Sequence, residues 1–354
     1  MTRISPARLV SYRTLSKVLG GGYASDLLRL ECANLDARDA ALAESIVFGC
    51  LRHQSQLDFL ITHFSGRQQL KLDDEVRLAL RIGIFQIYFL DRIPKHAAVG
   101  ESVELVKKAQ KVSAAGFVNA VLRKAAKVPV SWPDPATELS IPAWMLKRWE
   151  ARYGHVMVET IARAALEEPV SYVEPETGRR QDIGAQSIVP LLRIERGMRV
   201  LDVCAAPGNK TAQIIAAGGV VFATDRYLRR LVDVPPGANR VVVDAAVPLP
   251  FRESSFDRIL VDAPCSGTGT LARNPEIKWR LRPDDLVRFQ TLQKAILARA
   301  LECLKPDGLL VYSTCSLEPE ENENAVEGYR VQEMTHRLPG RDPGDGFFAA
   351  VITR

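Results

Sequence analysis

Over roughly the first 127 positions apolar residues recur every three to four places, the period of helices that turn one face to a core. Leu9, Tyr12, Leu15, Val18 and Leu19 share such a face, and Ser5 before Pro6 supplies an N-cap followed by a proline at the first helical position. Further helices are predicted over SDLLRLE, ARDAALAESIVFGCLRHQSQLDFLITHF, DDEVRLALRIGIFQIYFL, HAAVGESVELVKKAQ and SAAGFVNAVLRKAAK, the last capped by Ser113. The pattern is that of an all-α bundle. Pro129, Pro133, Pro135 and Pro142 then break any continuous helix, and short helices are predicted over AWMLKRWEARY, stopped by Gly154, and from about Val156 to Glu168.

From about Gly197 the period changes. Short apolar runs, MRVLDV, GGVVFATD, ANRVVVDA, SFDRILVDAP and GLLVYSTC, alternate with a helix starting at NKTAQIIAA and a long one from about Pro283 to Leu304. EENENAVEGYRVQ reads as helical and FFAAVITR as a closing edge strand. This alternation predicts a doubly wound, mainly parallel Rossmann-like sheet. The expected organisation is therefore multidomain, α followed by α/β: a helical bundle over residues 1–130, a linking segment over 131–180 and the sheet domain over 181–354.

Composition narrows the class. Hydrophobic residues make up 47% and charged residues 25%, an ordinary globular balance. With no apolar run of membrane-spanning length and no apolar signal core at the start, a cytoplasmic protein without a membrane partner is expected. The six cysteines lack the paired spacing of a zinc site and the density of a disulfide scaffold, so reduced thiols and no bound metal are expected. Charge is uneven: residues 1–130 hold 19 Lys and Arg against 12 Asp and Glu, and the remainder 28 against 30. Lys107, Lys108, Lys111, Arg123, Lys124 and Lys127 concentrate it, which favours a polyanion such as nucleic acid as partner.

The candidate chemistry lies where strands end. ILVDAPCSGTGT (from Ile259) and LLVYSTCS (from Leu309) each run from apolar residues into small ones and a cysteine, which should bring Cys265 and Cys315 to the carboxyl edge of one sheet, where α/β proteins bind ligands. Between the first strand and its helix, the small residues from Asp202 to Thr211 let a ligand approach the backbone and the free N–H groups of the helix start. The loop is neither GxGxxG nor a phosphate-binding P-loop. Asp225 and Asp244 end the next two strands, placed for ribose hydroxyls and an adenine edge, so an adenosine-containing cofactor fits.

The combination DxCAAPGxKT, DAPCSGTG and YSTCS resembles the RNA cytosine-5 methyltransferases. NPEIKWR (Asn274 to Arg280), the PEENE after Cys315 and DGFFAA are similar to the bacterial ribosomal branch, the RsmB/Sun/Fmu family, and the first 130 residues resemble the RNA-binding factor NusB. The resemblance implies S-adenosylmethionine as cofactor and methylation of cytosine in RNA, small-subunit (16S) ribosomal RNA in particular, by a monomer. Carbon 5 of cytosine is a poor nucleophile, and a thiolate added to carbon 6 turns it into an enamine that accepts a methyl group. By resemblance Cys315 is that nucleophile, Cys265 assists release, Asp262 bonds the cytosine edge and Lys210 orients these groups. The cofactor residues carry over to Cys204, Ala205, Ala206, Pro207, Gly208, Asn209 and Lys210, then Asp225, Asp244 and Asp262. Asn209 stands where the family usually has a second glycine, and asparagine is the side chain most tolerant of positive φ. The segment between Glu168 and Gln181 is shorter than the family's RNA-positioning segment. Alternative readings are a non-catalytic assembly factor that retains a cofactor-binding fold and a transfer RNA cytosine-5 methyltransferase. Methylation of an exocyclic amine is disfavoured, because DAPC stands where an Asn/Asp-Pro-Pro-aromatic loop would be needed.

Overall fold

A computed structural model describes residues 4–67 and 70–354. The chain folds as two compact units, one formed by its first part up to Glu167 with Leu271–Trp279, the other by Glu168–Thr270 with Arg280–Arg354.

The first unit is helical. Its centre is the helix Asp74–Tyr88, in which all residues from Val76 to Gln86 except Arg77 are buried, because its apolar positions run all the way round rather than along one stripe. Around it stand Pro6–Leu19, Ala37–Arg52, Gln54–Ser65, Lys95–Lys108 and Ala115–Lys124. The pattern from Ala37 to Phe64 predicts one helix; the structure has two, parted at His53, whose backbone leaves helical geometry (φ −98°, ψ 20°). The His53 ring stacks on Phe89 with centroids 4.3 Å apart and bonds Gln56, and burial pushes its pKa down to about 4. Ser5 sits at the N-cap but spends its hydroxyl on Glu101, which also receives the buried Arg8 guanidinium at 2.7 Å. Ser113 does not cap the last helix of the bundle, since Val112–Ala114 forms a 3-10 turn and Ala114 takes the cap position.

The expected division at residues 130 and 180 differs from the observed one. Helices Ala143–Tyr153 and His155–Ala164 bury Met145, Leu146, Trp149, Val158 and Ile161, and so belong to the first unit rather than to a linker. Leu271–Trp279 joins that unit through specific bonds: Arg52 donates to the Ala272 carbonyl at 3.0 Å, Lys278 to the Arg52 carbonyl at 2.8 Å, and the Trp279 indole to the Leu51 carbonyl at 2.7 Å.

The second unit is a seven-stranded sheet. Its strands are β1 (Arg199–Val203), β2 (Val220–Asp225), β3 (Asn239–Val242), β4 (Phe256–Asp262), β5 (Leu304–Thr314), β6 (Arg330–Arg337) and β7 (Phe347–Thr353), in the order β3-β2-β1-β4-β5-β7-β6. The first five are mutually parallel, and β7 pairs antiparallel with both β5 and β6. The order reverses between β1 and β4, so the crevice of this sheet opens at their carboxyl ends. Two expectations are corrected here. The helix after Cys315 covers only Glu323–Val326, and the chain turns at Gly328 (φ +87°) into β6. β7, expected at the edge, is buried along nearly its whole length inside the sheet, while the more polar β6 takes the edge, as charged edge strands do.

Candidate active site

β1 delivers the cofactor loop. Cys204 (φ +61°) and Gly208 (φ +96°) both adopt left-handed backbone, and a Cβ at Gly208 would stand 2.7 Å from Val234 and Pro235, so glycine is required by conformation and by space. Helix Asn209–Ala216 starts there. Asp202 lies wholly buried beneath the loop; the Thr211 hydroxyl donates to it at 2.6 Å, its other oxygen has no partner among the described residues, and burial raises its pKa to about 7.

Asn209 behaves differently from the expectation of a left-handed loop residue. It is the first residue of its helix, and its side chain is a latch, accepting from Arg179 at 2.8 Å and donating to the Arg180 carbonyl at 3.2 Å. Arg179 also donates to the Pro207 carbonyl at 3.4 Å. The Asn209 side chain thus ties the loop to the turn that carries Arg179 and Arg180.

A cavity of about 190 Å³ adjoins the loop, lined by Cys204, Asp225, Tyr227, Arg230, Asp244 and Pro264 among others, with Val243, Ala245, Leu292 and Ile296 as apolar walls. Asp225, at the end of β2, accepts from the Tyr227 amide at 3.0 Å and pairs with Arg230 at 3.4 Å. Asp244, two residues beyond β3, accepts from the Ala246 amide and pairs with Arg226 at 3.4 Å. Two carboxylates at the rim of an apolar slot suit the hydroxyls and flat base of a nucleoside, so the donor set fits an adenosyl cofactor.

Asp262 and Lys210 do not line that cavity; they face the thiols' side of the sheet edge. Lys210 donates to Asp262 at 2.6 Å, Ser313 donates to the other Asp262 oxygen at 2.8 Å, and the Lys210 ammonium lies 5.6 Å over the Phe347 ring. Burial works against the Lys210 charge, yet the Asp262 carboxylate, with smaller help from Cys315 and Asp202, holds its pKa above the usual lysine value. The two sulfurs of Cys265 and Cys315 are 3.4 Å apart. The contact with Cys315 and burial, with the Glu321 charge adding to both, push the Cys265 thiol well above its ordinary pKa.

Ser313 and Glu321 were not singled out by sequence. Ser313 was findable, since parallel pairing sets it opposite Asp262 and both motifs end at the same level of the sheet. The basic cluster of the first unit is thinner than composition predicts: Lys107 pairs with Glu104, Lys111 with Asp73 and Lys127 with Asp91.

Residues 189–338 match the family described as 16S rRNA methyltransferase RsmB/F, and residues 5–127 match the NusB family. A relative from Enterobacter sp. (strain 638), named ribosomal RNA small subunit methyltransferase B, is 31% identical over 98% of each chain. Another of that name, from Pseudomonas syringae pv. tomato, is 31% identical over 91% of this chain and 86% of its own. The crystal structure of PH0851 shares the fold across both whole chains, with a TM-score of 0.79 at 19% identity. With two family domains matched and relatives similar along nearly their full length, the chain belongs to the RsmB/F family of 16S rRNA methyltransferases.

Proposed function

We propose that this chain methylates carbon 5 of a cytosine in small-subunit ribosomal RNA, acting as a cytoplasmic monomer through a transient bond between Cys315 and carbon 6. The observation that carries the reading is the pair of thiols in contact beside the Lys210–Asp262–Ser313 group, with Pro264, the neighbour of Cys265, in the wall of the nucleoside-sized cavity.

Bound S-adenosylmethionine supplies the electrophilic methyl group. Held by Lys210 and Ser313, the partly exposed Asp262 carboxylate can still accept a hydrogen bond from a cytosine amino group. Cys315 adds as a thiolate to carbon 6, making carbon 5 nucleophilic; after methylation a base accepts the carbon 5 proton, its electron pair re-forms the carbon 5–carbon 6 double bond and the Cys315 thiolate is expelled. The 3.4 Å contact between the two sulfurs supports a division of labour in which Cys315 attacks and Cys265 assists the release step. Because a base stacked in a duplex is out of reach of either thiol, the target cytosine must be unpaired or extruded.

Labelled methyl transfer to ribosomal RNA from cells lacking the protein, followed by bisulfite mapping, tests this directly. Wild type should create a single new 5-methylcytosine and Cys315→Ala none. Full transfer by Cys315→Ala, or label found on another atom, contradicts the reading.

A further inference from the structure

The steps above do not use Glu321, yet its carboxylate binds the main chain or side chain beside both thiols. It is fully buried and accepts from the Ser266 amide at 2.7 Å, from Gln293 Nε2 at 3.1 Å, and from the hydroxyls of Ser266 and Ser316. Ser266 follows Cys265 and Ser316 follows Cys315, so one carboxylate bonds the next residue after each sulfur, on loops that leave two different strands. The two serine hydroxyls also touch each other at 3.1 Å. Cys265 is braced from its other side as well, since Gln293 Nε2 donates to the Pro264 carbonyl at 3.0 Å. Glu321 is itself anchored, its backbone carbonyl accepting from the buried Tyr312 hydroxyl at 2.6 Å.

We infer that Glu321 is a positioning residue: by bonding Ser266 and Ser316 together it fixes the separation and facing of the Cys265 and Cys315 sulfurs. The inference rests on the proposed roles of those two cysteines for its meaning in turnover, but the clamp itself is a matter of geometry. An ionised carboxylate suits the place because four donors converge there and it is an acceptor throughout. A glutamine can keep its Oε1 on the Ser266 N–H and Gln293 Nε2 and turn its NH2 to the two serine hydroxyls, which can accept, so it keeps much of the geometry and loses the charge. Burial of Glu321 pushes its pKa up against these bonds, and its charge is one of the influences that keep Cys265 protonated.

The test uses the full chain without RNA as well as with it. Diamide takes two electrons and two protons from the facing thiols and leaves a Cys265–Cys315 disulfide, whose rate of formation reads sulfur placement independently of catalysis. Glu321→Ala should pair its thiols about tenfold more slowly and lose about 100-fold in kcat, with the RNA KM and cofactor affinity unchanged, and Glu321→Gln should recover part of both losses. A cooperatively melting Glu321→Ala protein that binds cofactor, pairs its thiols and turns over like wild type overturns the inference. Should Glu321→Ala fail to fold, Ser266→Ala and Ser316→Ala decide: slower pairing in each supports the clamp, and wild-type pairing in both overturns it. If Cys315→Ala retains methyl transfer while Glu321→Ala still slows pairing, the clamp stands and the proposed roles of the cysteines fall.

Discussion

Lys278 is buried to 1% exposure, and its ammonium donates to the Arg52 carbonyl and lies 5.1 Å over the Trp279 ring. Burial first, and the Arg52 charge second, push its pKa down to about 7. In the unfolded chain the same group titrates at about 10.4, so between those values the unfolded state holds the extra proton and stability rises with pH. Relative to Lys278→Met, the wild-type chain should gain on the order of 2 kcal/mol between about pH 7 and pH 9 in urea unfolding. A pH-independent difference between the two proteins would show that the ammonium is not buried as described. Nothing but its place in the NPEIKWR run marks this lysine in the sequence, because a buried cation is visible only once Arg52 and Trp279 surround it. The same holds for Glu321, whose partners Ser266 and Gln293 come from distant parts of the chain. Cys265, Cys315, Asp225 and Asp244 were legible because each terminates, or closely follows, an apolar run of strand length. Asp262 and Lys210 were legible as members of the family pattern, but their mutual bond was not.

At the level of single elements the cofactor loop departs most clearly from expectation. The latch from Asn209 to Arg179 and the Arg180 carbonyl joins the helix start to the short β-bridged turn around Val173 and Arg180. Asn209→Gly and Arg179→Ala should each cost about 1 kcal/mol in urea unfolding, with the double variant losing less than the sum because both remove one interaction. Additive losses would show that the two side chains act separately. The loops carrying the thiols have a comparable constraint at Gly269, where the amide donates to the Cys315 carbonyl at 2.9 Å and a Cβ would overlap the Gly346 carbonyl. Parallel strands were read with more success than the end of the sheet. β1, β2, β4 and the second half of β5, from Leu309, are mainly apolar runs, as strands buried on both faces are. β6 is an edge strand with a bulge between Val331 and Glu333, so its alternation is broken and its charged residues read as helix. β7 was recognised as a strand, but its position inside the sheet depends on β6 and could not be read from its own residues.

Across the whole molecule, under the proposed function, the basic helical unit would hold RNA and the unit with the thiols would react with it. The uneven charge supports phosphate contacts by the first unit. Ion pairs occupy Lys107, Lys111 and Lys127, which leaves Lys108, Arg123 and Lys124 as the exposed cations of that cluster without a carboxylate partner among the described residues. Replacing those three by alanine should weaken RNA binding and lower the slope of log Kd against log salt by about 2 for single-stranded RNA. An unchanged slope would place the RNA elsewhere. Among the described residues no helix is long and apolar enough to cross a membrane. The change of hydrophobic period near Gly197 revealed the two kinds of architecture, while the affiliation of Leu271–Trp279 with the helical unit was illegible because its ties to Leu51 and Arg52 span more than two hundred residues. The most direct test of the chemistry is to incubate Cys265→Ala with its RNA and cofactor and look for a covalent complex on a denaturing gel. A protein–RNA band that persists in Cys265→Ala and vanishes when Cys315 is also replaced is the expected result; no band, or one that survives loss of Cys315, contradicts Cys315 as the nucleophile.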